Sequence, residues 1–200
     1  MAASTSRREL ITNAAVRTLA ESGMRGLTHR AVDQSAGLPQ GSTSYYFRTR
    51  QALLQATVEW LGELSIADLT GFRALTQSRP TDIEQVATAI ARVLSGWLTV
   101  DRDRVIARYE LSLEATRRPE LRAALITSGA ALRAAAADLL ATIGARDPKT
   151  AAGPLVACLD GLLFDQIAGA GEPLSEEALR HAVADLLQQT RNPRRPDKTD

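Results

Sequence analysis

Residues 28–50 read THRAVDQSAGLPQGSTSYYFRTR, and the side chains gathered there suit one chemistry above others. Gln40, Ser42, Thr43 and Ser44 carry short hydrogen-bonding groups. A glutamine pairs bidentately with adenine, and serine or threonine meets a thymine methyl or a base edge. Gly41 leaves room among them for close backbone approach. Tyr45, Tyr46, Arg48, Thr49 and Arg50 follow at once. Phenol hydroxyls, guanidinium groups and the amides that open a helix are typical phosphate partners. Three of the chain's eight aromatic residues are consecutive here: Tyr45, Tyr46 and Phe47. Three aromatics in a row cannot all face one core. Phe47 is expected inside, and at least one tyrosine outside, facing a partner.

Other chemistries find few residues. There is one cysteine, Cys158, so no disulfide within the chain and no multi-cysteine zinc site. Two histidines, His29 and His181, do not make a His-rich metal centre. The chain has no Gly-rich phosphate loop, Cys/His pair or nucleophile elbow. No metal, no cofactor and no enzymatic activity are expected. Glu110 and Glu114 stand at i,i+4, but Arg108 and Arg117 beside them point to a solvated, salt-bridged helix face. Cys158 is expected as a small buried hydrophobe.

The elements that position the polar cluster are helical throughout. Alanine and leucine dominate, and no strand-like alternation or hairpin signal occurs. Ser6 with Glu9 opens a first helix, carrying Leu10, Ala14, Ala15 and Leu19 on one stripe and ending at Gly23. Thr28 caps a short second helix that Gly37 stops, and Pro39 suits the first turn of a third, spent by Phe47. Two short helices about Ala36-Gly37-Leu38 have the proportions of a helix-turn-helix, whose second helix enters the DNA major groove. Thr49 caps a long fourth helix from Arg50. Five more follow: one opened by Thr81 and Glu84 after the break at Pro80, then about 102–117, 119–143, 149–168, and one from Ser175 to about Gln189. The fold class is therefore all-α, with about nine helices.

With 200 residues, 44% hydrophobic and 24% charged, the chain is long enough for a real core. Its net charge of +1 hides an asymmetry: residues 1–60 hold seven arginines against four acids, and the remainder is mildly acidic. A basic leading segment suggests a polyanion partner for that part alone. Neither a signal-peptide core nor an uninterrupted run of about 18 apolar residues occurs, so a cytoplasmic protein without a membrane partner is expected.

The segment resembles the TetR family of transcriptional regulators. Thr28, Val32, Ala36-Gly37-Leu38, Gly41, Tyr46-Phe47, Arg50 and Leu53-Leu54 stand where that family's motif places them, and Ala14-Ala15, Leu19, Gly23 and Leu27 fit before it. Pro39, Thr43, Ser44 and Asp33 depart from the pattern: the family favours Ser or Thr, a hydrophobic residue, a tyrosine and a small apolar residue there. The resemblance implies that Thr28, Tyr46 and Arg50 bind phosphates. It implies that Arg30, Gln40, Ser42 and Ser44 face bases or the adjacent backbone, with Gly41 allowing close approach. His29, Thr43, Tyr45 and Arg48 complete the expected DNA-binding set, with His29 at a helix start read either as a phosphate contact or as a solvated histidine.

The resemblance further implies a helix-turn-helix domain over 1–48, an effector-binding and dimerisation domain over 49–190, and a tail over 191–200 read as disordered. Trp97, Tyr109, Leu113, Asp160 and Phe164 are the candidate ligand contacts. Residues 151–168 are apolar around much of their circumference, which implies burial on more than one side. Leu155, Leu159, Leu162 and Leu163, with Leu179, Val183 and Leu186 of the last helix, are therefore the candidate dimer face. The implied function is a repressor that binds a palindromic operator as a homodimer. A small-molecule effector releases it by tilting the long helix from Arg50 and mis-spacing two recognition helices. The alternative is a helical small-molecule-binding protein without competent operator recognition.

Overall fold

The computed structural model describes residues 6–76 and 82–191. Among the described residues there are nine helices and no strand: α1 (Arg7–Gly26), α2 (His29–Ser35), α3 (Ser42–Tyr46), α4 (Arg50–Thr76), α5 (Ile83–Leu98), α6 (Arg102–Ala115), α7 (Pro119–Thr142), α8 (Pro148–Ile167) and α9 (Glu176–Arg191).

Their ends follow local chemistry. The Ser6 hydroxyl accepts from the Glu9 amide at 3.2 Å, and the Glu9 carboxylate accepts from the Ser6 amide at 2.8 Å, a reciprocal cap for α1. Gly23 breaks that helix's path with φ 62° and ψ −170°, a region open essentially to glycine, and a last turn then runs on to Gly26. Thr28 and Thr49 cap α2 and α4, accepting from the amides of Ala31 and Ala52 at 3.1 Å. Ser175 does the same for α9 through Ala178. Helix α3 is shorter than expected: Pro39 and Gln40 lie in the preceding turn, and Gly41, at φ 96°, leads into Ser42. The cap of α5 is Asp82, whose carboxylate accepts from the Glu84 amide. The expected partner Thr81, the break at Pro80 and the tail from Asn192 lie outside the described residues.

By packing, the chain divides into two units, 1–65 with 101–130, and 66–100 with 131–200. This differs from the expected linear division at residue 48, because α6 and the first part of α7 pack with the leading helices. In the first unit α1 packs along α6. Its core includes Ile11, Ala15, Leu19, Val32, Phe47, Leu53, Leu54, Val58 and Leu111. In the second unit α5 packs along α9, and Val86, Ile90, Leu94, Leu140, Leu155, Leu179, Val183 and Leu187 fill the core. The α5 residues recur at helical spacing, so one stripe is buried and the opposite face left to water. By length and composition α7 alone among the described helices could cross a membrane, with mean hydropathy 1.3, although Arg133 and Asp138 interrupt it.

Candidate nucleic-acid interface

Helix α3 has five residues and follows α2 after a tight turn, so its orientation depends on what α2 and α4 supply. Thr28, Arg30, Gln40, Gly41, Ser44, Tyr45 and Arg48 are exposed. Tyr45 is 80% exposed and meets Tyr46 edge to face, with ring centroids 5.1 Å apart. Ser42 is half-buried, and its hydroxyl donates back to the Pro39 carbonyl at 2.7 Å. Phe47 is in the core, as its place in the aromatic run led us to expect.

Four expected contacts are engaged within the chain itself, each for a physical reason. Thr43 is fully buried: its hydroxyl donates to Asp33 at 2.6 Å, so it points into the unit. His29 is half-buried, and its Nε2–H donates to the Phe47 carbonyl at 2.7 Å, which fixes the tautomer. The Arg50 guanidinium donates to the carbonyls of Leu27 and Met24, the open end of α1, so its charge neutralises a helix terminus. Tyr46 is half-buried against the first unit's core. Arg17 closes α2 in the same manner as Arg50 closes α1, donating to the Ser35 carbonyl at 2.8 Å.

Asp33 and Thr43, two positions that break the family pattern, are joined by hydrogen bonds from both the hydroxyl and the amide of Thr43. The Asp33 carboxylate is 3% exposed and also accepts from the Gly41 and Thr43 amides, each at 2.7 Å. Burial raises the pKa of this carboxyl. The Thr43 hydroxyl, the Thr43 and Gly41 amides and the nearby His29 outweigh it, leaving the group below its usual range. Sequence reasoning missed Arg8, whose guanidinium lies over the Phe47 ring, 4.6 Å from its centroid. The adjacent arginines at 7 and 8 were the available signal.

The remaining expected residues divide between the units. Tyr109 and Leu113 lie on α6 in the first, and Leu113 is 62% exposed. Trp97, Asp160 and Phe164 lie in the second, where the Trp97 indole donates to Asp68 at 2.9 Å and Phe164 is 47% exposed. Of the expected dimer residues, Leu155, Leu163, Leu179 and Val183 are buried in the second unit's own core, which corrects their assignment to a surface. Leu159, Leu162 and Leu186 remain partly exposed. Cys158 is exposed rather than buried, on the wall of an open groove of about 540 Å³ between α8 and α9 that also takes in Arg146, Asp147, Pro154 and Leu186. Glu110 accepts from the Met24 amide at 3.1 Å, so it serves the α1 break. Glu114 pairs with Arg117, as expected, and with Arg118, but its side chain is only 13% exposed, so the face is not the solvated one expected. No group of three His, Cys, Asp or Glu is placed to hold a metal among the described residues.

Comparison with known proteins covers both parts of the chain. Residues 11–57 match the model for bacterial regulatory proteins of the tetR family, and residues 81–189 match that for the tetracyclin repressor-like C-terminal domain. The chain is 28% identical, over 94% of its length and 95% of the relative's, to the HTH-type transcriptional regulator BetI of Burkholderia mallei. Among solved structures, the multidrug binding protein EbrR complexed with ethidium shares 35% identity over 90% of this chain and 98% of its own, with a TM-score of 0.68. A TetR-family member from Streptomyces coelicolor A3 shares 34% over the same fractions, with a TM-score of 0.71. The helix-turn-helix geometry and matches to both halves lead to one assignment: the chain belongs to the TetR family of transcriptional regulators.

Proposed function

We propose that this ligand-responsive, DNA-binding transcriptional regulator is a cytoplasmic repressor that binds a palindromic operator as a homodimer and leaves it when a flat aromatic cation binds. Its family is one of transcriptional regulators, which are not enzymes. The observation that carries the DNA reading is Tyr45, 80% exposed with Ser44 on a helix anchored from behind. An aromatic ring left in water on such a helix suits a groove or sugar contact. Arg30, Arg48 and Thr28, all exposed, supply backbone contacts on either side. One α3 reads only a few base pairs, so a second copy supplies the other half-site. Leu159 and Leu162, partly exposed on α8, and Leu186, on the wall of the groove between α8 and α9, are the proposed meeting surface.

The effector class draws on similarity. EbrR has been crystallised with ethidium, proflavin and malachite green. Here Trp97, half-buried and bonded to the Asp68 carboxylate, offers an aromatic face next to an acid, the combination that holds an aromatic cation. The effector acts in this reading by resetting α4, which is shared by both units.

Selection of bound duplexes from a random pool, using the purified full-length protein, tests the reading. An enriched palindrome is the expected result. No enrichment overturns it and favours the helical small-molecule-binding alternative. Proflavin added to the DNA-free Trp60→Phe variant is expected to quench the remaining Trp97 fluorescence, and unchanged emission rejects the effector class.

A further inference from the structure

Two side chains of α2 end on α3, and they end at opposite ends of it. His29 donates from Nε2 to the carbonyl of Phe47, which closes α3. Asp33 accepts from the amides of Gly41 and Thr43 and from the Thr43 hydroxyl, where α3 begins. The i,i+4 spacing places both on one face of α2.

Such bracketing answers a need of α3 itself. A helix this short has no stability of its own. Its N-cap residue is Gly41, which offers no capping side chain. Of its five residues Ser44 and Tyr45 are exposed to solvent, and Ser42 and Tyr46 are half-buried. Apolar packing alone fixes a helix direction loosely, because a small rotation exchanges one van der Waals contact for another. A buried carboxylate held by three donors behaves differently: rotation that breaks one bond leaves charge under-solvated in the interior. The arrangement therefore penalises rotation of α3 steeply. Reading base edges demands that stiffness, because donors and acceptors must be held to within about 0.5 Å.

We propose that the His29–Asp33 face of α2 is the positioning element for operator reading, with Asp33 setting the rotation of α3 through Thr43 and Gly41 and His29 holding its far end. Neither residue touches DNA in this scheme. They act through Ser44 and Tyr45, and the inference rests on the reading of α3 as the recognition helix.

The test uses full-length protein, the duplex most enriched by the wild type from a random pool, and an unrelated duplex of equal length. Asp33→Asn keeps the shape but sets an amide group against two N–H donors. It is expected to weaken binding to the selected duplex by about tenfold or more. On the unrelated duplex, bound through phosphates, the change is expected to stay within about twofold. A fresh selection with the variant is expected to lose base preference in the half-site positions read by α3. Thr43→Val removes one donor and is expected to lose selectivity in the same direction by less, while Thr43→Ser, which keeps the hydroxyl, restores it. If circular dichroism shows Asp33→Asn unfolded, the Thr43 pair decides. Unchanged selectivity in Thr43→Val and Asp33→Asn overturns the proposal, as does equal loss on both duplexes, which marks a merely structural role. A wild type that enriches no duplex overturns the proposal together with the reading of α3.

Discussion

The α2–α3 region and the α5–α9 core are both helical, yet they are held by different forces. Between α5 and α9 the buried contact is apolar, with Val86, Ile90 and Leu94 packed with Leu179, Val183 and Leu187, and the Arg180–Glu84 and Arg92–Glu176 ion pairs lie outside that core. Between α2 and α3 the contacts that fix orientation are polar and run to backbone groups: Asp33 to two amides, His29 to a carbonyl. Apolar burial supplies most of the free energy but little direction. Hydrogen bonds in a buried site supply little net energy but fix geometry. A body that must exist is built the first way, and a surface that must point is built the second.

That contrast can be measured, because each unit contains one of the two tryptophans: Trp60, bonded to Asn13 at 2.9 Å, in the first and Trp97 in the second. Single Trp→Phe variants thus give a local reporter for either unit. The largest effect is expected from Leu187→Ala, which empties a fully buried site and should cost about 3 kcal/mol, read from Trp97 in urea. A cost under about 1 kcal/mol would break the claim that this contact rests on apolar packing. Gly23→Ala should follow at about 2 kcal/mol, read from Trp60, because φ 62° with ψ −170° excludes a Cβ whatever space surrounds it. Thr43→Val should cost the first unit about 1 kcal/mol, less in stability than in DNA selectivity.

The acid limb sharpens the comparison further. The Asp33 carboxyl lies below its usual value in the folded chain, so its contribution to stability is complete above about pH 4. That contribution is lost as the pH falls through the lower, folded-state value. Stability read from Trp60 should therefore fall more steeply below about pH 4 in the wild type than in Asp33→Asn. Parallel curves would show that the carboxylate is not coupled to folding. The smallest effect is expected from Glu114→Gln: Arg117 is largely solvated, Arg118 half so, and a glutamine oxygen still accepts from them, so about 0.5 kcal/mol or less is expected in the same denaturant assay.

The same contrast decides what could be read in the sequence. Helix number, the Ser6–Glu9 cap and an interruption at Gly23 were legible because each leaves a periodic or local signature, although α1 resumes for a turn after Gly23. The inward turn of Thr43 was not, since five residues are too few to show which side faces in. His29 and Arg50 ended on carbonyl oxygens, which every residue carries and no sequence marks. Asp33 looked like an isolated departure because its partner lies ten positions on, across the turn. In α8, apolar residues on all sides pointed to cover on more than one face, whereas the chain by itself buries one stripe, through Ala152, Leu155 and Leu163. Periodicity could not sort Leu155 and Leu163, buried in the second unit's core, from Leu159 and Leu162, which stay partly exposed.

The carbonyl ties of Arg17 and Arg50 have a consequence for how tightly DNA is held as ionic conditions change. Seven arginines lie among residues 1–60, but these two are committed to the ends of α2 and α1. Arg7, Arg8, Arg25, Arg30 and Arg48 remain exposed to displace counterions from the duplex. At about −0.9 per neutralised phosphate, the slope of log K against log salt should not exceed roughly −4.5 per bound protomer, against about −6 if every arginine took part. Binding should thus tolerate a rise in salt better than the basic composition of the segment suggests.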